Sequence, residues 1–490
     1  MLKNYLRTAW RNLLRSRAYT LINLLGLALG MASCLLIVLY VQHELGYDHF
    51  HEQKDRIYRI SSDMSMGGNQ DHYAMAGMAV GPALTELYPE VDTFTRFLYN
   101  SNRWTLRFAD QVFKEERIYM ADAQVFEVFS YPLSVEDPQT ALARPHTMVL
   151  TESLAQKYFA DEDPLGQRLQ VDQSFYEITG VMEDLPANSD FSFQALLSMS
   201  TLPDPIAQAF SQDWGRVIFY TYLRFDKAAS VVGFDQKLAD FVADRVLPFW
   251  EENGVTGSMT YRLTPLTELH FRTDMSYDTP KGNISYLYIF AMVAVFILLI
   301  ACFNYINLAI AQSARRSVEV GIRKATGASR GQLLGQFLGE SLLLSLFALI
   351  LAVLLVELAL PTFNQIAGKS FTSVDVFSAP MMATMLGITL LTGLAAGSYP
   401  AIFLARLKPV TVLKRQLSLG GRHWLRRTLV VIQFSISIAL IVGTLVIQDQ
   451  MHFLQNRDLG FRQDQMLVIE VPFDSASQAG LPALRQELLQ

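Results

Sequence analysis

The chain has 490 residues, 51% hydrophobic and 18% charged, with a formal net charge of −6. That is more apolar and less charged than an ordinary soluble enzyme of this length, which makes a membrane protein the first expectation. Nucleic-acid binding is excluded as a reading of the basic residues, because they gather beside apolar runs, where membrane topology and anionic headgroups explain them.

A helix that crosses roughly 30 Å of hydrocarbon needs about 20 mostly apolar residues. Five stretches qualify: Leu21–Val41, Tyr286–Ala311, Phe337–Leu360, Met381–Leu404 and Thr428–Ile447. Ahead of the first, Leu2, Leu6, Trp10, Leu13 and Leu14 follow helical spacing while Arg7, Arg11 and Arg15 line another face. Residues 1–20 therefore read either as an amphipathic helix lying along the inner surface or as a plain positive flank. Met31-Ala32-Ser33-Cys34 loosely resembles a lipoprotein cleavage box, but Leu35–Val41 carries the apolar run past the cysteine, so an uncleaved span over 21–42 is expected. Cys302, the other cysteine, also lies in a span, which leaves the large region between them without disulfides or a thiolate metal site.

Residues 43–283 carry the mixed signals of an α+β domain inserted between the first two spans. Val217–Phe225 and Phe175–Val181 read as strands. In TMVLTESLAQKYFADEDPLG a strand runs into Thr151, a helix N-cap, and the following helix stops before Asp163-Pro164 and Gly166. The cluster His43, Glu44, His49 and His51 lacks the HExxH spacing that sets two histidines on one helical face, so no metal is expected there. No GxGxxG or GxxxxGK[ST] occurs; Gly368-Lys369-Ser370 lacks the leading glycine of a phosphate loop, since position 363 is Phe. The chain is thus not expected to be an enzyme or to hold a cofactor.

Between the second and third spans lies VEVGIRKATGAS, residues 318–329. Ser313 to about Thr326 reads as a short helix with Glu319 and Arg323 paired at i,i+4 and Gly327 as its stop, and Ser329 with Gln332 as a capping box that opens the next helix. Val318, Ile322 and Ala325 give it an apolar stripe. A simple interfacial turn and a docking lever for a partner fit these residues equally well. Asn304, Asn307 and Glu340 lie inside the adjoining spans, where helix–helix hydrogen bonding is the simplest role and a functional one the alternative.

Orientation follows from Lys and Arg at the span ends. Lys3, Arg7, Arg11, Arg15 and Arg17 precede span one; Arg315, Arg316, Arg323, Lys324 and Arg330 lie between spans two and three; seven more lie between Arg406 and Arg427. All three segments fall on one side of five crossings, which predicts a cytoplasmic N-terminus and an exterior domain. That domain holds 36 of the 46 acids and 19 of the 40 Lys and Arg.

Several long motifs occur in the order seen in one known family. IACFNYINLA, EVGIRKATGAS and QFLGES resemble the second span, elbow and third span of the MacB/FtsX-like ABC transporter permeases. YDHFHEQKDRIYRI, LAQKYFADEDPLGQRL and ITGVMEDLPANSDF resemble that family's periplasmic core domain. One departure is Asp190, where relatives often place His. The resemblance implies a multi-pass permease subunit of the bacterial inner membrane, with the exterior domain periplasmic. Such subunits pair with a separate cytoplasmic ABC ATPase that binds the ATP, and so convert hydrolysis into movement of the periplasmic domain, for export or extraction of a substrate. By position it gives the coupling role to Glu319, Gly321, Arg323, Lys324 and Gly327. Some relatives suggest the alternative, a non-transporting scaffold or sensor for cell-wall enzymes or peptides.

The expected organisation is then a cytoplasmic segment 1–20, a span 21–42, a periplasmic domain 43–283 and FtsX-like spans 284–405 with an elbow at 312–332. A basic linker 406–427 and a span 428–447 follow. QDQMHFLQNRDLGFRQDQ, after the last span, parallels QHELGYDHFHEQKDR after the first, so 448–490 reads as the start of a second exterior domain. A homodimer or a second permease half, and membrane lipid, are the further partners this implies.

Overall fold

The structure, a computed structural model, describes residues 17–99, 104–109, 111–134, 138–160, 162–406, 423–457 and 475–488. The amphipathic segment before Arg17, the basic linker after Arg406 and most of the tail lie outside them. The chain divides into a helical unit, residues 1–43 with 285–464, and a sheet unit, residues 44–284 with 465–490.

Among the described residues, the helical unit has five helices long and apolar enough to cross a membrane. They are α1 (Arg17–Leu45), α2 (Ile284–Ala325), α3 (Arg330–Ala367), α4 (Ala379–Arg406) and α5 (His423–Asn456). Leu27, Met31 and Leu35 of α1, Ala301 and Tyr305 of α2, Leu344, Ala348 and Ala352 of α3, and Met381 and Met385 of α4 share one core. Where apolar side chains face apolar lipid, close backbone approach has to hold helices together, and two glycine pairs supply it. A Cβ at Gly30 would come within 2.7 Å of Ala301 Cβ, and one at Gly26 within 3.2 Å of Asn304 Nδ2, so α1 lies tight on α2. A Cβ at Gly393 or Gly397 would come within 2.6 Å of Leu342 or Ser341, so α4 lies equally tight on α3. Helix α5 is exposed along the length of its span.

One expectation is corrected. Residues 313–326 are not a separate short helix; they extend α2, a single helix of 42 residues. Nothing in AIAQSARRSVEVGIRKA breaks a helix, and one glycine, Gly321, costs only about 1 kcal/mol. At about 1.5 Å per residue α2 is roughly 60 Å long, twice what a bilayer core requires.

In the sheet unit the described strands are β1 (Ile57–Met66), β2 (Asn69–Tyr73), β3 (Val91–Leu98), β4 (Trp104–Phe108), β5 (Gln111–Glu115), β6 (Ile118–Ala121), β7 (Leu133–Ser134), β8 (Thr147–Thr151), β9 (Arg168–Val171), β10 (Ser174–Met182), β11 (Ala195–Ser198), β12 (Phe219–Phe225) and β13 (Gly257–Pro265). They form one sheet in the order β13-β1-β12-β3-β6-β11-β8-β10-β9-β4-β5, with β2 beside β1 and β7 beside β10. The β6–β11 and β8–β10 pairs are parallel. Strand β12 is buried on both faces: Tyr220 and Tyr222 enter one core, while Leu223 and Phe225 enter another under the helix Phe234–Phe241. Such two-faced burial is why its sequence reads as a continuous aromatic run. Thr151 caps the helix Glu152–Phe159 by accepting the Leu154 N–H, as the sequence predicts.

Candidate coupling site

Four residues, 326–329, separate α2 from α3, and both sides of the turn are closed by hydrogen bonds. Gly327, at φ +99°, donates its N–H to Lys324 O at 3.1 Å, and Ala328 donates to Arg323 O at 2.9 Å. These two bonds make a Schellman stop, and the positive φ favours a residue without Cβ. Beyond it, Gln332 N–H donates to Ser329 Oγ at 3.3 Å while Ser329 N–H donates to Gln332 Oε1 at 3.0 Å, a complete capping box. The connection is a corner with defined geometry rather than a loose loop.

Its inner face is set by Val320, 2% exposed, which packs with Leu333 and Phe337 of α3 and Ala401 of α4. Gly321 beside it is buried too. The stripe read from Val318, Ile322 and Ala325 does not supply this contact: Ile322 is 53% exposed and Ala325 is exposed as well. The side chains of Val318 and Glu319 lie outside the described residues. Ile322 and Ala325 therefore face outward, because the inward position one turn after Val320 is taken by Arg323.

Arg323 Nη1 donates to Gln336 Oε1, and Gln336 Nε2 donates to Glu340 Oε1 at 3.2 Å. Gln336 and Glu340 are both buried. A charge at the corner is thus tied through one amide to a carboxylate more than two turns into α3, the kind of partnering that a buried carboxylate requires. Next to Glu340, Ser341 Oγ lies 2.8 Å from Tyr305 OH of α2 and donates to Phe337 O at 3.1 Å. Lys324 is half-buried, and burial, followed by the nearby Arg330, pushes its pKa down. A cavity of about 20 Å³ lined by Tyr305, Phe337, Glu340 and Ser341 has room for one water.

Among the residues singled out from sequence, then, Arg323 and Glu340 are brought together, and Gly321 and Gly327 shape the corner around them. Asn304 turns the other way, against Gly26 of α1. Asn307 Oδ1 is buried and accepts no hydrogen bond among the described residues. Gln336, the bridge, was not anticipated, although its i,i+4 spacing to Glu340 in QFLGES was a usable signal. Gly368 of the tripeptide Gly-Lys-Ser caps α3: at φ +62° it donates its N–H to Asn364 O.

Two family models match the chain: the MacB-like periplasmic core domain over residues 20–241 and the FtsX-like permease C-terminal domain over residues 291–409. The macrolide export ATP-binding/permease protein MacB of Marinobacter nauticus is 23% identical over 428 residues, 84% of this chain. The chain spans 60% of that relative's length. Among solved structures, a domain of a permease protein from Porphyromonas gingivalis is 23% identical, covering 49% of this chain and 98% of its own, with a TM-score of 0.39. The periplasmic region of MacB from Actinobacillus actinomycetemcomitans is 16% identical, covering 42% of this chain and 88% of its own, with a TM-score of 0.29.

Proposed function

Because the chain belongs to the MacB/FtsX-like ABC transporter permeases, we propose that it is the membrane subunit through which a separate cytoplasmic ABC ATPase moves the periplasmic domain. The corner between α2 and α3 is where that ATPase docks. Its outward face offers Ile322 and Ala325, and its inward face is locked by Arg323, Gln336 and Glu340. The observation that carries this reading is the closure of the corner by a Schellman stop on one side and a capping box on the other. A push on such a corner is delivered to two long helices rather than absorbed in a loop. The Lys and Arg beside the span ends support a cytoplasmic N-terminus, and the likeness to a periplasmic-domain family supports the bacterial inner membrane. The work done is export or extraction of a substrate from the outer face of that membrane. Helix α5, exposed in the single chain, is covered by lipid and by a second copy or a second permease half.

The test is co-purification of the ATPase from membranes with the native chain and with the double variant Glu319→Ala/Arg323→Ala, together with the rate of ATP hydrolysis. The reading predicts that the variant loses the ATPase. An ATPase that stays bound and equally active, or that never binds the native chain, would reject the docking role and favour a scaffold or sensor.

A further inference from the structure

The sheet unit receives the chain from α1 at Glu44 and returns it to α2 after Asn283, and both connections are fastened to one short loop, Asn188-Ser189-Asp190. On the incoming side, Asp48 N–H donates to Asn188 O at 2.9 Å and Asn188 Nδ2 donates to Gly46 O at 2.7 Å. Asp48 Oδ1 in turn accepts from Asp190 N at 3.1 Å and Ser189 Oγ at 3.3 Å. On the outgoing side, Lys281, three residues ahead of α2, donates to Asp190 Oδ2 at 2.5 Å, and Thr279 Oγ1 donates to the same oxygen at 3.2 Å.

His270 closes the ring. Its Nε2 lies 2.9 Å from Glu44 Oε2, its Nδ1 is 3.6 Å from Asp190 Oδ1, and its ring stacks on Tyr47 with centroids 3.4 Å apart. Gly282 N–H donates to His270 O at 2.8 Å, and a Cβ there would stand 2.5 Å from His270 Nε2 and 2.8 Å from Glu44 Oε2. Behind Lys281, Asp278 pairs bidentately with Arg59 of β1 at 2.6 and 2.8 Å, against Tyr222 of β12. Tyr131 lies on the remaining side of Asp48, with the His51 ring edge-on to Tyr131 at 5.1 Å; burial drives the Tyr131 pKa well up and holds that of His51 down at about 4, so both are neutral in the physiological range.

We propose that this cluster is a proton-binding joint: protons on Asp48 and His270 decide whether the segment leaving α1 and the segment entering α2 stay pinned to the same loop. The charge count carries the argument. With Asp48 neutral and His270 protonated, three carboxylates, Glu44, Asp190 and Asp278, face three cations, Arg59, Lys281 and His270. With both protons gone, four buried carboxylates face two of these cations, and Asp48 Oδ2 already accepts no hydrogen bond among the described residues. Uncompensated buried charge is strongly unfavourable. Burial, reinforced by Asp190, lifts the Asp48 carboxyl to about 7, while Asp190 and Glu44 outweigh burial and raise His270 above its usual value. Protons reach the joint from solvent through a cleft of about 420 Å³ lined by Tyr47, Ser189, Asp190, Ser192, Gln194 and Pro280. The same account explains Asp190 in the PANSD motif, since an ionised carboxylate there is what Lys281 and His270 both require.

The experiment is hydrogen–deuterium exchange on the full chain in nanodiscs, with exchange times corrected for intrinsic amide chemistry. As pH rises from about 5.5 to about 8.5, the peptides covering 45–50 and 279–284 should lose protection by at least about tenfold, while the core strands β8 and β11 hold theirs. Asp48→Asn, which fixes the neutral state at that position, should remove most of the fall; His270→Gln should leave both segments poorly protected at every pH. A flat profile in the native chain, or an unchanged fall in Asp48→Asn, overturns the proposal. Intact protection of β8 and β11 certifies that a variant is folded, and the native profile decides if one is not.

Discussion

Replacing Gln336 by Met tests the inner lock of the corner directly. Met keeps the length of the side chain, so little cavity is created, but both amide hydrogen bonds are lost. A hydrogen bond to a charged group contributes about 1.5–3 kcal/mol. Arg323 is only half-buried and takes water in exchange, so its bond is discounted to near zero. Glu340 is 5% exposed, so its bond retains the full figure. The net cost is about 2 kcal/mol, which corresponds to roughly a 30-fold larger open population at the turn. Hydrogen–deuterium exchange of residues 326–336 should therefore quicken by about that factor in the variant. The exposed face around Ile322 is untouched, so the ATPase should still co-purify while its hydrolysis no longer reaches the exterior domain. A change below about threefold would show that Gln336 merely fills space, and the lock would have to be abandoned.

Gly397→Ala places a Cβ within 2.6 Å of Ser341 Cβ and Oγ, and should cost about 1–3 kcal/mol of stability by overpacking α4 on α3; Gly387→Ala, inside the same helix with nothing within 4 Å of its Cβ, should instead raise the thermal midpoint, by up to about 1 kcal/mol of helix propensity. Gly282→Ala should split the Glu44–His270 pair and abolish the pH response of the 279–284 segment, measured by the same exchange experiment. The stability of the sheet unit should peak near pH 4 and decline as pH rises from there. Asp48 and His270 bind protons more tightly in the folded state, so stability falls as pH rises, for Asp48 between its ordinary 3.8 and about 7 and for His270 from 6.5 upward. Asp190 has the opposite sign, because its partners hold its carboxyl at about 2 and its contribution is lost as pH falls from 3.8 toward that value. Thermal midpoints across the range check both limbs, and a midpoint that kept rising above pH 7 would contradict the assignment.

The five spans and the inserted α+β domain were legible because hydropathy and length alone decide which segments cross a bilayer. The turn chemistry was equally local: Gly327, Ser329 with Gln332, and Thr151 each act on backbone within a few residues. What sequence could not show was which face of a helix looks inward. The pattern at Val318, Ile322 and Ala325 is apolar and helical, yet Ile322 and Ala325 are exposed and Val320 is buried, because inwardness depends on where α3 and α4 lie. The joint around Asp190 was hidden for a related reason, since Glu44, Asp190 and Lys281 come from distant parts of the chain. Only the fold brings them together.

The central proposal, that ATP binding by a cytoplasmic ATPase docked at the corner is felt in the periplasmic domain, is tested most directly by exchange on this chain with the candidate ATPase in nanodiscs. The complex is compared without nucleotide and with a hydrolysis-deficient ATPase held in its ATP-bound state. The account predicts slower exchange at residues 326–333 and, in the same samples, altered exchange at 44–50 and 279–284. Protection at the corner with no change in the exterior domain would contradict it, leaving the corner a docking site that transmits nothing.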